Sequence, residues 1–324
     1  MRAVLVEKAG SIEDLVVREH STEGPDEDQV LIRVKYAGVN FPDILMAQGM
    51  YQFQPSFPFS PGGEVAGTIL SVGRNVSHLK AGDRVVSGTS WGGFAEEALG
   101  FGSNTYKIPD EVSFEDAAAT LMTFATALHA LRDRAQLKAG ETLAVLGASG
   151  GVGIAAIQTG KQLGAHVIAC ASNNNKLELC RKVGADQVIN YTEADLKSEL
   201  KRLTDNKGAD VIFDPIGGEL SEESFRAIAR GGRHLVVGFA SGVIPKIPLN
   251  LPLLKSASIV GVFWGGFFRN EPEKNRENVS LLLSWLKDGS IRPVIDEVFS
   301  IEKAVDALRK MQKRNVLGKV LLEI

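Results

Sequence analysis

The chain has 324 residues, 44% of them hydrophobic and 23% charged, with a formal net charge of −3. That length predicts two domains, the composition is ordinary for a globular protein, and the charge gives no electrostatic reason to expect nucleic acid or an anionic membrane as partner. Two cysteines, Cys170 and Cys180, are too few for a disulfide framework or a four-thiolate zinc site.

Over the first ~120 residues, short alternating or β-branched runs such as "RAVLVE", "DQVLIRVKYAG", "GEVAGTILSVG" and "GDRVVSG" are punctuated by glycine and proline, which predicts an all-β region. The opening "MRAVLVEKAG" carries Glu7 and Lys8 where a signal peptide would be apolar, so a cytoplasmic, reducing location is expected. From about Asp116 the chain turns to helix formers, "EDAAATLMTFATALHALRDRA". A regular rhythm follows: "TLAVLG" (142–147), "HVIACA" (166–171), "QVINY" (187–191), "ADVIFD" (209–214) and "HLVVGF" (234–239), with a helical stretch after each of the first four. Apolar strands alternating with helices imply a parallel, doubly wound sheet with right-handed crossovers. "SASIVGVFW" (256–264) reads as its last strand. The run "IVGVFWGGFF" (259–268) is too short to span a bilayer. The tail reads as a helix, "NVSLLLSWLKDG", a short strand, another helix and a final strand, "GKVLLEI".

The stretch "GASGGVGIAAIQTGK" (147–161) follows the first strand of that rhythm and opens a helix. Glycines there let the backbone turn tightly and approach a pyrophosphate, and the helix amino terminus offers N–H groups and a positive dipole end. The position within a run of βα units makes this a phosphate cradle. An NAD site places Asp or Glu about 20 residues further on, to bond the ribose 2′-hydroxyl. Here the strand ends "ACASNNNK", with no carboxylate from Ala165 to Leu177. Ser172 and Lys176 can instead meet a 2′-phosphate, which favours NADPH; the structural alternative makes Lys176 a solvated helix residue.

On "AGVNFPD" (37–43), "PGGEVAG" (61–67), "AGDRV" (81–85), "LGASGGVG" (146–153), "GADQVINY" (184–191), "FDPIGG" (213–218) and "LGKVLL" (317–322), the chain resembles the zinc-free quinone oxidoreductase branch of the medium-chain dehydrogenase/reductase superfamily over nearly its whole length. The resemblance implies an α/β architecture in two domains. One is a GroES-like β domain, 1–123 completed by 267–324; the other is a Rossmann doubly wound parallel-sheet domain, 124–266, with the cofactor in the cleft between them. Zinc-dependent relatives have a cysteine where this chain has Asn40 and a histidine near Gly63, and a site with neither cannot hold a three-ligand catalytic zinc. By resemblance, Asn40 and Tyr51 are the catalytic-site residues, Asn40 facing the nicotinamide and Tyr51 lining the substrate pocket. Thr126 lies near the nicotinamide ribose. Gly150, Gly151 and Val152 hold the pyrophosphate, and Ser149, Gly217 and Ala240 also belong to the cofactor site. Ser172, Lys176 and Tyr191 surround the 2′-phosphate, and Phe239 flanks the nicotinamide. Leu45 departs from relatives that carry a second pocket tyrosine.

Each assignment has a structural counterpart. Tyr51 is a loop tyrosine that could simply pack with a wet hydroxyl, and Asn40 could satisfy backbone groups at a strand end. His129 and Cys170 read as structural, and Asp186 and Asp214 as strand-end and loop residues. Trp264, Phe267 and Phe268 either line the cleft or fill a domain junction. The leading expectation is a metal-free NADPH-dependent reductase of quinones, enals or enones. The alternatives are an enoyl thioester reductase and a non-catalytic NADPH-binding protein; without a basic patch, RNA is not expected. The long apolar strand 256–264 carries no charge or proline to blunt an open edge, which predicts a homodimer through it, burying Ile259 and Val262 or their neighbours; the structural alternative is that the tail helices cover the strand within one chain.

Overall fold

The computed structural model describes residues 1–324, which divide into two compact units, 1–122 with 270–324 and 123–269. In the first unit, β1 (Arg2–Leu5) and β2 (Val16–Glu19) pair antiparallel as a two-stranded ribbon. The long strand β3 (Gln29–Val39) alternates buried and exposed residues at first, then buries Ala37, Gly38 and Val39 in succession where elements cover both of its faces. Asn40 ends it and caps α1 (Phe41–Ala47), with Pro42 in the first turn, where a missing N–H costs nothing. Strands β4 (Glu64–Val72), β5 (Arg84–Gly88), β6 (Glu97–Phe101) and β7 (Thr105–Lys107) continue the antiparallel sheet. Helix α2 (Phe114–Leu128) then carries the chain into the second unit and runs on as a π-helical turn, His129–Arg134.

The second unit alternates strand and helix: β8 (Thr142–Leu146), α3 (Gly151–Gln162), β9 (His166–Ala171), α4 (Asn174–Lys182), β10 (Gln187–Asn190), α5 (Leu196–Leu203), β11 (Ala209–Asp214), α6 (Glu219–Arg226), β12 (Ile228–Val236), α7 (Asn250–Lys255), β13 (Ser258–Gly261) and α8 (Trp264–Asn270). The six strands are parallel, in the order β10-β9-β8-β11-β12-β13, so the winding reverses between β8 and β11, the doubly wound arrangement. Leu143, Val145, Ile168, Ile212 and Phe213 are buried along their central strands, as expected where helices cover both faces.

The chain returns to the first unit with α9 (Pro272–Asp288), β14 (Ile295–Ser300), α10 (Ala304–Gln312) and β15 (Lys319–Glu323). β15 pairs antiparallel with β3 and parallel with β14, giving the sheet order β14-β15-β3-β4-β5-β7 with β6 also on β3. No helix is long and apolar enough to cross a membrane.

Two expected strands have different limits. The run 256–264 is strand only over Ser258–Gly261, because Ser256 takes a left-handed backbone (φ 49°) and Trp264 opens α8. β12 starts earlier than expected, at Ile228, and stops at Val236, short of Phe239. Val262, expected to await a partner copy, is already buried, its amide donating to Val236 O at 3.0 Å.

Candidate functional site

In doubly wound sheets the ligand crevice lies at the carboxyl ends of the strands where the winding reverses, here the turns after β8 and β11. Gly147 takes φ +57°, and Ala148 N–H donates to Cys170 O at 3.1 Å, tying the turn to β9. Gly150 caps α3, so the amides of Gly151, Val152 and Gly153 stand in its first turn, where a helix has no carbonyl of its own to offer them. A methyl on Gly153 would sit 2.5 Å from Gly147 O and 2.7 Å from Ala148 Cα, so only glycine lets the helix come this close. Ser149 is buried within the turn.

After β11, the Asp214 carboxylate accepts the amides of Ile216 and Gly217, both at 2.9 Å, and the Ser221 hydroxyl. The Ile216 side chain fills the space where a Cβ on Gly147 would be, so the two turns touch. Gly217 (φ +73°) lets Phe239 close in, since a methyl there would lie 3.0 Å from its ring, and Ala240 N–H donates to Pro215 O at 3.0 Å. The turn of Gly147–Gly153 therefore meets the loops of Gly217, Phe239 and Ala240. Aligned amides, a dipole end and a backbone hollow that a Cβ would fill fit a dinucleotide pyrophosphate.

At the end of β9, Lys176 Nζ donates to Ser172 Oγ at 3.2 Å, and Asn173 caps α4 by accepting Lys176 N–H at 3.0 Å. Tyr191 N–H donates to Ala171 O at 3.2 Å, and Thr192 Oγ1 donates to Ser172 O at 3.1 Å. Ser172, Lys176 and Tyr191 thus come together on a rim of hydroxyl, amide and ammonium groups. Thr126 stands half-buried in the last turn of α2. His129 accompanies Asp133 at 2.9 Å and stacks on Phe267 at 3.9 Å, while Trp264 and Phe267 are buried. Cys170 is fully buried, which pushes its thiol far above the usual range.

In the first unit, Asn40 N–H donates to Asp43 Oδ2 at 2.7 Å, and Gly62 N–H to Asp43 Oδ1 at 3.1 Å. The Asn40 side chain turns inward: Nδ2 donates to Gly38 O at 3.1 Å and Glu64 Oε1 at 2.8 Å, and Oδ1 accepts from Lys319 Nζ. Lys319 also pairs with Glu64 Oε1, whose Oε2 accepts Met122 N–H at 2.7 Å. Tyr51 is half-buried against the core of this unit, edge-on to Phe53 at 6.4 Å. Phe53, Phe57 and Trp91 are exposed. The sequence pattern alone singles out none of Asp43, Glu64 and Lys319, although all three lie in the motifs that carry the resemblance; the local signal is a charged residue opening a largely apolar strand, at Glu64 and again at Lys319.

Residues 26–110 match the family model of the alcohol dehydrogenase GroES-like domain, and 151–284 that of the zinc-binding dehydrogenases. The chain is 38% identical over 311 residues to quinone oxidoreductase-like protein 2 of Bos taurus, covering 96% of this chain and 89% of that one. It is 35% identical over 309 residues to the Homo sapiens quinone oxidoreductase, covering 95% and 92%. Its fold superposes on the Escherichia coli quinone oxidoreductase complexed with NADPH with a TM-score of 0.94 at 30% identity, covering both chains completely.

Proposed function

Because the chain belongs to the quinone oxidoreductase branch of the medium-chain dehydrogenase/reductase superfamily, we propose that it is an NADPH-dependent oxidoreductase delivering hydride to quinones or conjugated enals and enones without a metal ion. The observation that carries this reading is the pairing of a glycine cradle with a rim that offers no carboxylate where an NAD site needs one. In this reading Gly150, Gly151 and Val152 hold the pyrophosphate, Ser172, Lys176 and Tyr191 the 2′-phosphate, and Thr126, Ser149, Gly217, Phe239 and Ala240 the remaining length. When bound, the cofactor supplies hydride from its nicotinamide ring. Asn40 faces that ring and Tyr51 the acceptor.

Electron-poor acceptors suit the residues present. Where zinc-dependent relatives have a metal-ligating cysteine, the Asn40 side chain is engaged by Lys319, Glu64 and Gly38. No group of three His, Cys, Asp or Glu side chains is placed to hold a metal ion. Quinones and enones carry their own electron-withdrawing carbonyl and accept hydride without added Lewis acid. The exposed ring of Phe53, edge-on to Tyr51 at 6.4 Å, offers a flat apolar surface for such planar acceptors.

The reading extends to a homodimer through β13. Only β12 pairs with that strand, and Leu249 (80% exposed) and Leu253 (77%) leave a broad apolar face just before it.

The test is binding and turnover together. NADPH and NADH are titrated against wild type and Lys176→Ala, and NADPH oxidation is followed with quinones, enals and enoyl thioesters, before and after exhaustive chelation. NADPH should bind far more tightly than NADH, and Lys176→Ala should weaken NADPH by roughly tenfold, the worth of one charge-assisted bond, leaving NADH nearly unchanged. Quinone or enone turnover should survive chelation. Equal cofactor affinities, turnover confined to thioesters, or activity restored only by zinc would each defeat the corresponding part.

A further inference from the structure

We infer that Lys319 and Glu64 are positioning residues that lock the Asn40 carboxamide, so that Asn40 can accept one hydrogen bond from a ligand and can donate none. Three strands deliver the residues to one end of the sheet. Asn40 follows β3, Glu64 opens β4 and Lys319 opens β15; both strands flank β3, with Val65 opposite Ala37 and Val320 opposite Val39. Room for the cluster depends on Gly38, since a methyl there would collide with the Glu64 carboxylate and lie 2.6 Å from Ala118 O.

The amide orientation is unambiguous. Nδ2 faces two acceptors, Gly38 O and Glu64 Oε1, and Oδ1 faces an ammonium; a flipped amide would set donor against donor and oxygen against oxygen. Both N–H bonds of the carboxamide are spent internally, and one Oδ1 lone pair is left. Glu64 is 0% exposed, Lys319 3% and Asn40 7%, so the residue holding the open lone pair is the one nearest solvent. Lys319 is the one lysine or arginine buried in the chain. Its charge has two tasks, neutralising Glu64 and holding Oδ1 in place.

The inference rests on the reading that Asn40 faces the nicotinamide, whose carboxamide N–H is the donor the open lone pair would meet. It also assigns Asn40 no part in protonating the product or stabilising its oxyanion, since both need a donor. Those tasks fall to a pocket hydroxyl or to solvent.

The experiment titrates NADPH against its analogue carrying an acetyl group in place of the carboxamide, which keeps the carbonyl and loses the N–H, by quenching of tryptophan fluorescence. Wild type should prefer NADPH by roughly fivefold, the scale of one hydrogen bond. In Lys319→Met the preference should fall to about twofold or less as the amide is released. The double variant Glu64→Gln/Lys319→Met removes the unpaired carboxylate, so it should recover the melting temperature lost by the single variant without recovering the preference. Equal affinities in wild type, or a wild-type preference in the folded double variant, would overturn the inference while leaving NADPH dependence intact. Failure of wild type to bind NADPH at all would instead remove the reading beneath it.

Discussion

Asp43 is fully buried, and desolvation lifts its carboxyl to about pH 7 against the pull of the Asn40 and Gly62 amides and the Lys319 charge. The unfolded chain ionises near 4, so between about 4 and 7 the folded protein holds a proton that the unfolded chain has released. The stability this group contributes is therefore present in acid and lost as pH rises through about 7. His234 has the opposite sign: burial lowers its pKa, so stability is lost as pH falls below the ordinary histidine range. Subtracting the urea-unfolding profile of Asp43→Asn from that of wild type isolates the first effect. The difference should slope downward for wild type between pH 5 and 8 by ~3 kcal/mol, and a flat difference would mean that the two amide bonds keep Asp43 ionised throughout. Residues of this kind were the least legible in the sequence. Ser172 and Lys176 could be named because a missing carboxylate is a local fact, fixed by distance along the chain from the glycines. Glu64 and Lys319 lie 255 residues apart, and nothing local says that one will neutralise the other.

The βα elements were legible where strand and turn chemistry agree. β9 and β11 occupy the residues expected of them, His166–Ala171 and Ala209–Asp214, because each is an apolar run bounded by helix-ending or turn residues. β13 is shorter than its apolar run because its limits are not its own. β12 stops at Val236, Val262 uses the carbonyl there, and beyond it no strand remains to pair with. The turn into α3 makes its own prediction. Gly153→Ala forces backbone apart, since the new methyl meets Gly147 O and Ala148 Cα. Overpacking of this sort should cost ~1–3 kcal/mol of unfolding free energy, and the displaced helix end should weaken NADPH by roughly tenfold. A stable variant with wild-type affinity would show that the cradle does not need this close approach.

For the molecule as a whole, the proposed dimer can be tested at the edge of β13. Successive residues of a strand point their amides to opposite sides. Val262 N–H faces β12, so those of Ile259 and Gly261 face outward, although Arg134 Nε already occupies Gly261 O at 3.0 Å. Proline at Ile259 therefore removes an outward donor and leaves the internal ladder intact. Light scattering at micromolar protein should give a dimer for wild type and a folded, largely monomeric Ile259→Pro. A wild-type mass near 34.8 kDa would defeat the dimer, and an intact dimer in the proline variant would place the interface elsewhere.

The discontinuity of the first unit also sets an order of events during synthesis. Residues 123–269 are contiguous, so their sheet has all its strands once that stretch is translated. The sheet of the first unit does not, because β15, the neighbour of β3, is translated only after that entire stretch. Until then the Tyr36–Val39 end of β3 has one edge bare, the start of that edge being held by β6, and Glu64 has no countercharge. Through that interval the nascent chain carries a sheet without its last partners, the kind of unpaired edge that invites mispairing.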